Sequence, residues 1–349
     1  MQDPFPITPV PWLAELVQPW CDRFNVTTLP LHIHEVIAAA LLYSVVFWPI
    51  SPLISNFLAP DHYSKLPRKR RLNWDAHVVS MVQSCLINAL AIWVILVDDD
   101  RRGMTWEERI WGYTGGCALI QALASGYFLW DLIVTSLNLD VFGIGTLAHA
   151  MAALLVYSLG FVRTPSSRED LFRPSLEPSV LIFMQRPLVN YYSPIFILWE
   201  LSTPFLNVHW FMDKVGMTGT RAQLYNGFLL LGSFFTCRLL FGTYHSYCVM
   251  GDFWRATRSP PSMEKLVSSS MAFADEGATV PVWAALAYLS SNLTLNFLNF
   301  YWFFKMISAV RKRFQPSKGP VEPVTEVEVD LSTVATSIPE KPHLRRRKV

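Results

Sequence analysis

Glu200, Thr203 and Asn207 lie three and four residues apart in Trp199-Glu200-Leu201-Ser202-Thr203-Pro204-Phe205-Leu206-Asn207-Val208-His209-Trp210. At helical spacing they fall on one face. An acid at membrane depth is costly, so it faces a partner or a wet cavity and marks a functional site. Pro204 lacks a backbone N–H and is expected to bend or break the helix beside that face. Three more ionisable residues interrupt apolar runs. Asp131 follows Gly126-Tyr127-Phe128-Leu129-Trp130, His149 stands in Leu147-Ala148-His149-Ala150, and Arg238 stands in Phe234-Phe235-Thr236-Cys237-Arg238-Leu239-Leu240. Buried charges are paired or become neutral, so Arg238 is expected to pair with Glu200 or Asp131.

Two kinds of chemistry follow. A histidine oriented by an acid can take or give a proton as a general base or acid, which makes His149 and Asp131 the candidate catalytic residues. Glu200, Thr203, Asn207, Arg238 and His245 are the candidates to line a polar cavity within the membrane; His245 follows Arg238 by two helical turns on the same face. Against both stands a plain structural reading, in which Arg238 and an acid only glue helices together. His77 and His209 stand near the ends of apolar runs and read as interfacial. The histidines form no paired i, i+4 ligand motif, and the five cysteines have no metal or redox spacing. No metal, cofactor or disulfide framework is therefore expected.

The elements that carry these residues are membrane helices. Of 349 residues, 52% are hydrophobic and 16% charged, against about 25% charged in a soluble protein. The net charge of +2 gives no reason to expect nucleic acid. A span needs about 20 apolar residues, and about seven runs qualify. They are Leu31–Phe57, Trp74–Val97, Ile110–Leu137, Val141–Val162, the polar segment Tyr191–Met212, Gln223–Met250 and Val280–Val310. The expected fold is an all-α polytopic bundle.

Basic residues stay cytoplasmic. Lys65, Arg68, Lys69, Arg70 and Arg71 in the first connection, with Arg311, Lys312 and Arg313 after the last span, place the N-terminus in the lumen and the C-terminus in the cytoplasm. Asn25-Val26-Thr27 is then a lumenal glycosylation sequon at Asn25. No cleavable signal peptide is expected. Trp12, Leu16, Trp20 and Phe24 recur every fourth residue and read as a helix on the membrane surface. Thr114, Ala118, Ala122 and Gly126 form a row of small residues, a seam for close helix packing. The chain thus divides into a lumenal arm (1–30), a first span with its basic loop (31–72), a core (73–250), a loop with the last span (251–310) and a disordered basic tail (311–349).

The Glu200 to Asn207 string, with Trp210 after it, resembles the signature of TLC-domain proteins. It is closest to the branch outside the ceramide synthases, which carries an E-x-S-x-P-x-x-N-like segment. Gly126-Tyr127-Phe128 with Asp131, the His149 span and the Phe234–Arg238 stretch support the resemblance, which covers about Asn73 to Tyr247. It implies a helix bundle around a lipid-accessible cavity, mostly in the endoplasmic reticulum, with membrane lipids as partners and a fatty acyl or sphingolipid ligand. Ceramide synthases, which join an acyl thioester to a sphingoid amine, carry adjacent histidine pairs and a pair of aspartates. Here His149 is flanked by Ala148 and Ala150, and Asp98-Asp99-Asp100 lies in a connection. The resemblance therefore points to lipid handling and homeostasis rather than to ceramide synthesis. Acyl transfer and secretory cargo or partner binding are the alternatives.

Overall fold

A computed structural model of the chain describes residues 1–24, 28–159, 161, 188–271, 274 and 280–314. All regular structure among them is helical. Asn25 and the tail beyond 314 lie outside the described residues.

The helices follow the apolar runs. An amphipathic helix α1 (Pro11–Phe24) precedes α2 (Leu29–Leu58). Then come α3 (Arg68–Val97), a short α4 (Trp106–Trp111), α5 (Gly115–Leu137) and α6 (Leu139–Leu159). A broken segment ends in α7 (Thr203–Lys214), and α8 (Arg221–Ala256) and α9 (Val282–Phe314) complete the chain. Five of these, α2, α3, α5, α6 and α8, are long and apolar enough to cross a membrane. The other two expected spans differ in kind. The segment before α7 is interrupted, and in α9 Asn292, Asn296 and Asn299 dilute the apolar run. The third span also starts later than Ile110. Gly112-Tyr113-Thr114 leaves the helix, and Thr114 accepts a bond from the Cys117 amide as the N-cap of α5.

In α1, Trp12, Leu16 and Trp20 are all exposed, so none of the described residues covers the expected apolar face. Large apolar side chains such as Trp48, Leu53, Phe57 and Tyr247 also point outward, as lipid-facing residues must. Interiors form where helices pair. Tyr43 and Phe47 of α2 meet Val79 of α3 and Trp130 of α5. Ile87, Ala91 and Val94 of α3 meet Ile120 and Phe128 of α5 and Tyr157 of α6.

The small-residue row on α5 does what its spacing implies. Gly126 packs against the Val36 carbonyl of α2, and a Cβ added there would also lie 2.7 Å from the Ala39 Cβ. The backbones touch because no side chain intervenes.

One end of the bundle is tied by buried polar bonds. Glu108 closes a capping box with Thr105 and accepts from the hydroxyls of Ser268 (2.8 Å) and Ser270 (2.9 Å). Arg109 makes a two-pronged pair with Asp252 of α8 (2.7 and 3.0 Å), and the Tyr192 hydroxyl donates to the same carboxylate at 2.6 Å. That bonding to Asp252 raises the Arg109 pKa further and keeps the guanidinium charged. At the other end Lys69 pairs with Asp140.

Two predictions arise. Gly126→Val should destabilise the protein by about 1–3 kcal/mol, because the intruding methyls must push α2 away; thermal unfolding in detergent measures it. Burial pushes the Glu108 carboxyl up, but the Thr105 amide and the hydroxyls of Ser268, Ser270 and Thr105 outweigh it and hold it below the usual carboxylate range. A lowered folded pKa means that this stabilisation is present above the unfolded value and is lost as pH falls through the folded one. Glu108→Ala should therefore cost about 1–2 kcal/mol near pH 7. The gap from wild type should close in unfolding curves recorded below about pH 4.

Candidate functional site

Two irregular helical stretches face each other at the centre of the bundle. Ile197–Ser202 is a 3-10 helix and Phe235–Phe241, within α8, is a π-helix. The first follows Ser193–Phe196, a single α turn with Pro194 in it, and precedes α7, where Pro204 sits in the first turn. Pro204 was expected to bend or break a helix. Instead it starts one, at a position where its missing N–H would have no helical partner. The irregularity lies just before it.

The π stretch carries Arg238, and its partners come from the 3-10 stretch, the start of α7 and α9. Arg238 Nε donates to Ser202 Oγ at 3.1 Å, Nη2 to Thr203 Oγ1 at 3.1 Å, and Nη1 to Asn299 Oδ1 of α9 at 3.2 Å. The expected pair with Glu200 forms, but it is long, at 3.5 Å from Nη2 to Oε1. Neutral oxygens thus make the shorter bonds to this charge. A guanidinium has five N–H donors, and one on Nη1 has no partner among the described residues. The Phe234 ring lies 4.9 Å from the guanidinium carbon and the Trp302 ring 6.0 Å away. Aromatic faces stabilise a cation by about 0.5–2 kcal/mol, more when water is excluded.

Trp302 links this cluster to His149, whose ring meets it edge to face with centroids 5.8 Å apart. Phe128 lies 6.4 Å away on another side. His149 Nδ1 is buried with no hydrogen-bond partner among the described residues. Glu200 lies within electrostatic reach of both His149 and Asp131. Asp131 does not join by contact; its bond is to Thr135 one turn along its own helix, at 3.3 Å.

The remaining candidates separate. Asn207 shares a face with Thr203 in sequence, yet it bonds His77 Nδ1 (2.8 Å) and Ser80 (3.1 Å) of α3. His77 is correspondingly buried and stacked on Trp210 with ring centroids 4.0 Å apart, so the interfacial reading of it is corrected. His245 lies tilted against Phe241, with ring centroids 4.3 Å apart, and within electrostatic reach of Arg101 and Arg109 at the tied end of the bundle. A small crevice lies off to one side, lined by Gln121, Tyr157, Tyr192, Ser193 and Tyr288. The cluster therefore consists of Glu200, Ser202, Thr203, Arg238, Asn299 and Trp302, with His149 behind the indole.

Sequence reasoning missed Ser202, Asn299 and Trp302. Asn292, Asn296 and Asn299 recur at helical spacing in an otherwise apolar span, a polar stripe that marks the face turned inward. Asn296 confirms it by donating to Ser246 of α8 at 2.8 Å.

The family model of the TLC domain matches residues 73–167 and 179–308, which takes in α4 to α8 and most of α3 and α9. An uncharacterized TLC domain-containing protein of Schizosaccharomyces pombe is 36% identical over 306 residues, 88% of each chain. Topoisomerase I damage affected protein 4 of Saccharomyces cerevisiae is 23% identical over 82% of this chain and 87% of its own. TLC domain-containing protein 4-B of Danio rerio is 24% identical over 78% and 87%. The matched segment holds the Glu200–Asn207 string, its arginine partner on α8 and the asparagine stripe of α9, and with them the multi-pass helical fold: the chain belongs to the TLC-domain family.

Proposed function

We propose that this protein handles lipid in the endoplasmic reticulum membrane, with its N-terminus lumenal, and that it holds an acyl lipid by the lipid's polar end at Arg238. The observation that carries this is the bonding of the guanidinium. Arg238 sits at the middle of a membrane helix, is held mainly by neutral acceptors, and keeps an N–H on Nη1 in reserve. A cation so placed favours an ester carbonyl, a carboxylate or a phosphate, each of which accepts a hydrogen bond from it. The outward apolar side chains around the π stretch, Phe235 and Leu240, would meet the lipid's chains.

Acyl transfer has weaker support. It needs His149 within hydrogen-bond reach of an acid or base partner, and among the described residues its buried Nδ1 has none, while the ring lies between Phe128 and Trp302. The test is mass spectrometry of lipids that copurify with the protein in detergent. Wild type should carry one lipid class well above its abundance in the source membrane. Arg238→Gln should reduce that enrichment about tenfold or more, while His149→Ala keeps it. Equal lipid profiles in wild type and Arg238→Gln would sink the proposal. Product formed from an acyl thioester and a sphingoid amine, and abolished by His149→Ala, would replace it with the acyltransferase reading.

The π stretch gives a second test. Gly242 follows it directly and abuts the Trp199 indole; a Cβ there would press on Nε1 and come within 2.8 Å of Cε2. Gly242→Ala should shift Trp199 and loosen the neighbouring Glu200–Arg238 contact. The expected result is a change in tryptophan fluorescence together with weaker lipid retention.

A further inference from the structure

A second cluster of ionisable groups lies at the tied end of the bundle, apart from Arg238. Asp3 of the N-terminal arm meets His32 and Glu35 in the first two turns of α2. His32 Nδ1 is 2.8 Å from Glu35 Oε1 and 3.4 Å from Asp3 Oδ2. One donor atom from each of the three residues lies within 4.8 Å of the other two. We propose that Asp3, His32 and Glu35 bind a divalent transition-metal ion of the zinc type, with a fourth position left to water.

The spacing suits the ion. Two ligands each about 2.1 Å from a tetrahedral zinc lie about 3.4 Å apart; the His32–Asp3 separation equals that value, and the His32–Glu35 separation of 2.8 Å needs to open by about 0.6 Å. The donor set suits it too. One imidazole with two carboxylates favours zinc and its neighbours over calcium or magnesium, which take oxygen ligands. His32 and Glu35 are buried, where charged groups must be paired, and a divalent ion on a neutral imidazole would balance the two carboxylates. Glu35, with 0% of its surface exposed, also keeps Oε2 without a hydrogen-bond partner among the described residues.

The surroundings fit a metal-bound imidazole. With the ion on Nδ1, the proton of His32 sits on Nε2, which is 2.7 Å from the Tyr113 hydroxyl. Such a partner fixes the ring and its tautomer. His34 closes one side, donating from Nε2 to the Ile7 carbonyl at 2.9 Å. The arm is seated by close backbone contact, since Asp3 lies on Gly115, where any Cβ would collide with it. The Asp3 side chain keeps 29% of its surface exposed, which leaves the ion a path in.

The test uses the full chain, purified in detergent without a polyhistidine tag, stripped with a chelator and titrated with Zn²⁺. About one Zn²⁺ should bind per chain. Asp3→Asn and Glu35→Gln should each weaken binding about tenfold or more. Asp3 lies on the arm, so metal-free Asp3→Asn should unfold at the temperature of the metal-free wild type, which separates lost binding from lost folding. Stripped wild type that takes up no Zn²⁺ above a detergent blank would overturn the assignment. So would either variant binding as tightly as wild type.

Discussion

Removing a guanidinium from water at membrane depth is the constraint to which the centre of this protein answers. The cost of an unpaired charge there is several kcal/mol, and a single carboxylate 3.5 Å away does not meet it. The chain instead surrounds Arg238 with hydroxyl and amide oxygens from two other segments and with two aromatic faces. Those acceptors can reach it only because the helices are irregular. An overwound stretch brings Ser202 and Thr203 to the same side, and an underwound one carries the arginine toward them. Neither geometry is favoured over a regular α-helix on its own, and π-type turns recur where function requires them.

The rest of the bundle has the opposite character. Between α2 and α5 the backbones touch at Gly126, and between α8 and the broken segment Gly242 lies against Trp199. Such contacts have no slack. At the tied end, Glu108, Arg109 and Asp252 join α4, α8 and the loop after α8 through short charged bonds. A rigid frame therefore holds a centre in which the polar bonds are longer and one donor is unused. That division is the one the proposed lipid site would need, to accept and release a ligand without loosening the fold.

The fold was legible because a membrane demands long apolar runs, and α2, α3, α5, α6 and α8 supply them. The family was legible in the eight residues from Glu200 to Asn207. The Arg238–Glu200 pair could be read too, since few ionisable residues occupy the interior and a buried charge needs a partner. What failed had physical causes. Helical spacing put Asn207 with Thr203, but α3 supplies His77 and Ser80 at that depth and takes it away. His245 shares a face with Arg238 only in a uniform helix, and the π-helix between them changes the angular phase. The trio of Asp3, His32 and Glu35 escaped notice because one member comes from an arm and the other two are three residues apart, not four.

The 3-10 winding of Ile197–Ser202 has a mechanical corollary. Those six residues rise about 2.0 Å each rather than 1.5 Å. Rewinding them as α-helix would shorten the segment by about 3 Å and turn one end against the other by about 120°. With Pro194 and Pro204 anchoring the two flanking turns, that rotation would fall on the carboxylate and hydroxyls between them. The segment is thus geared so that a small axial displacement of α7 becomes a large angular one at the guanidinium.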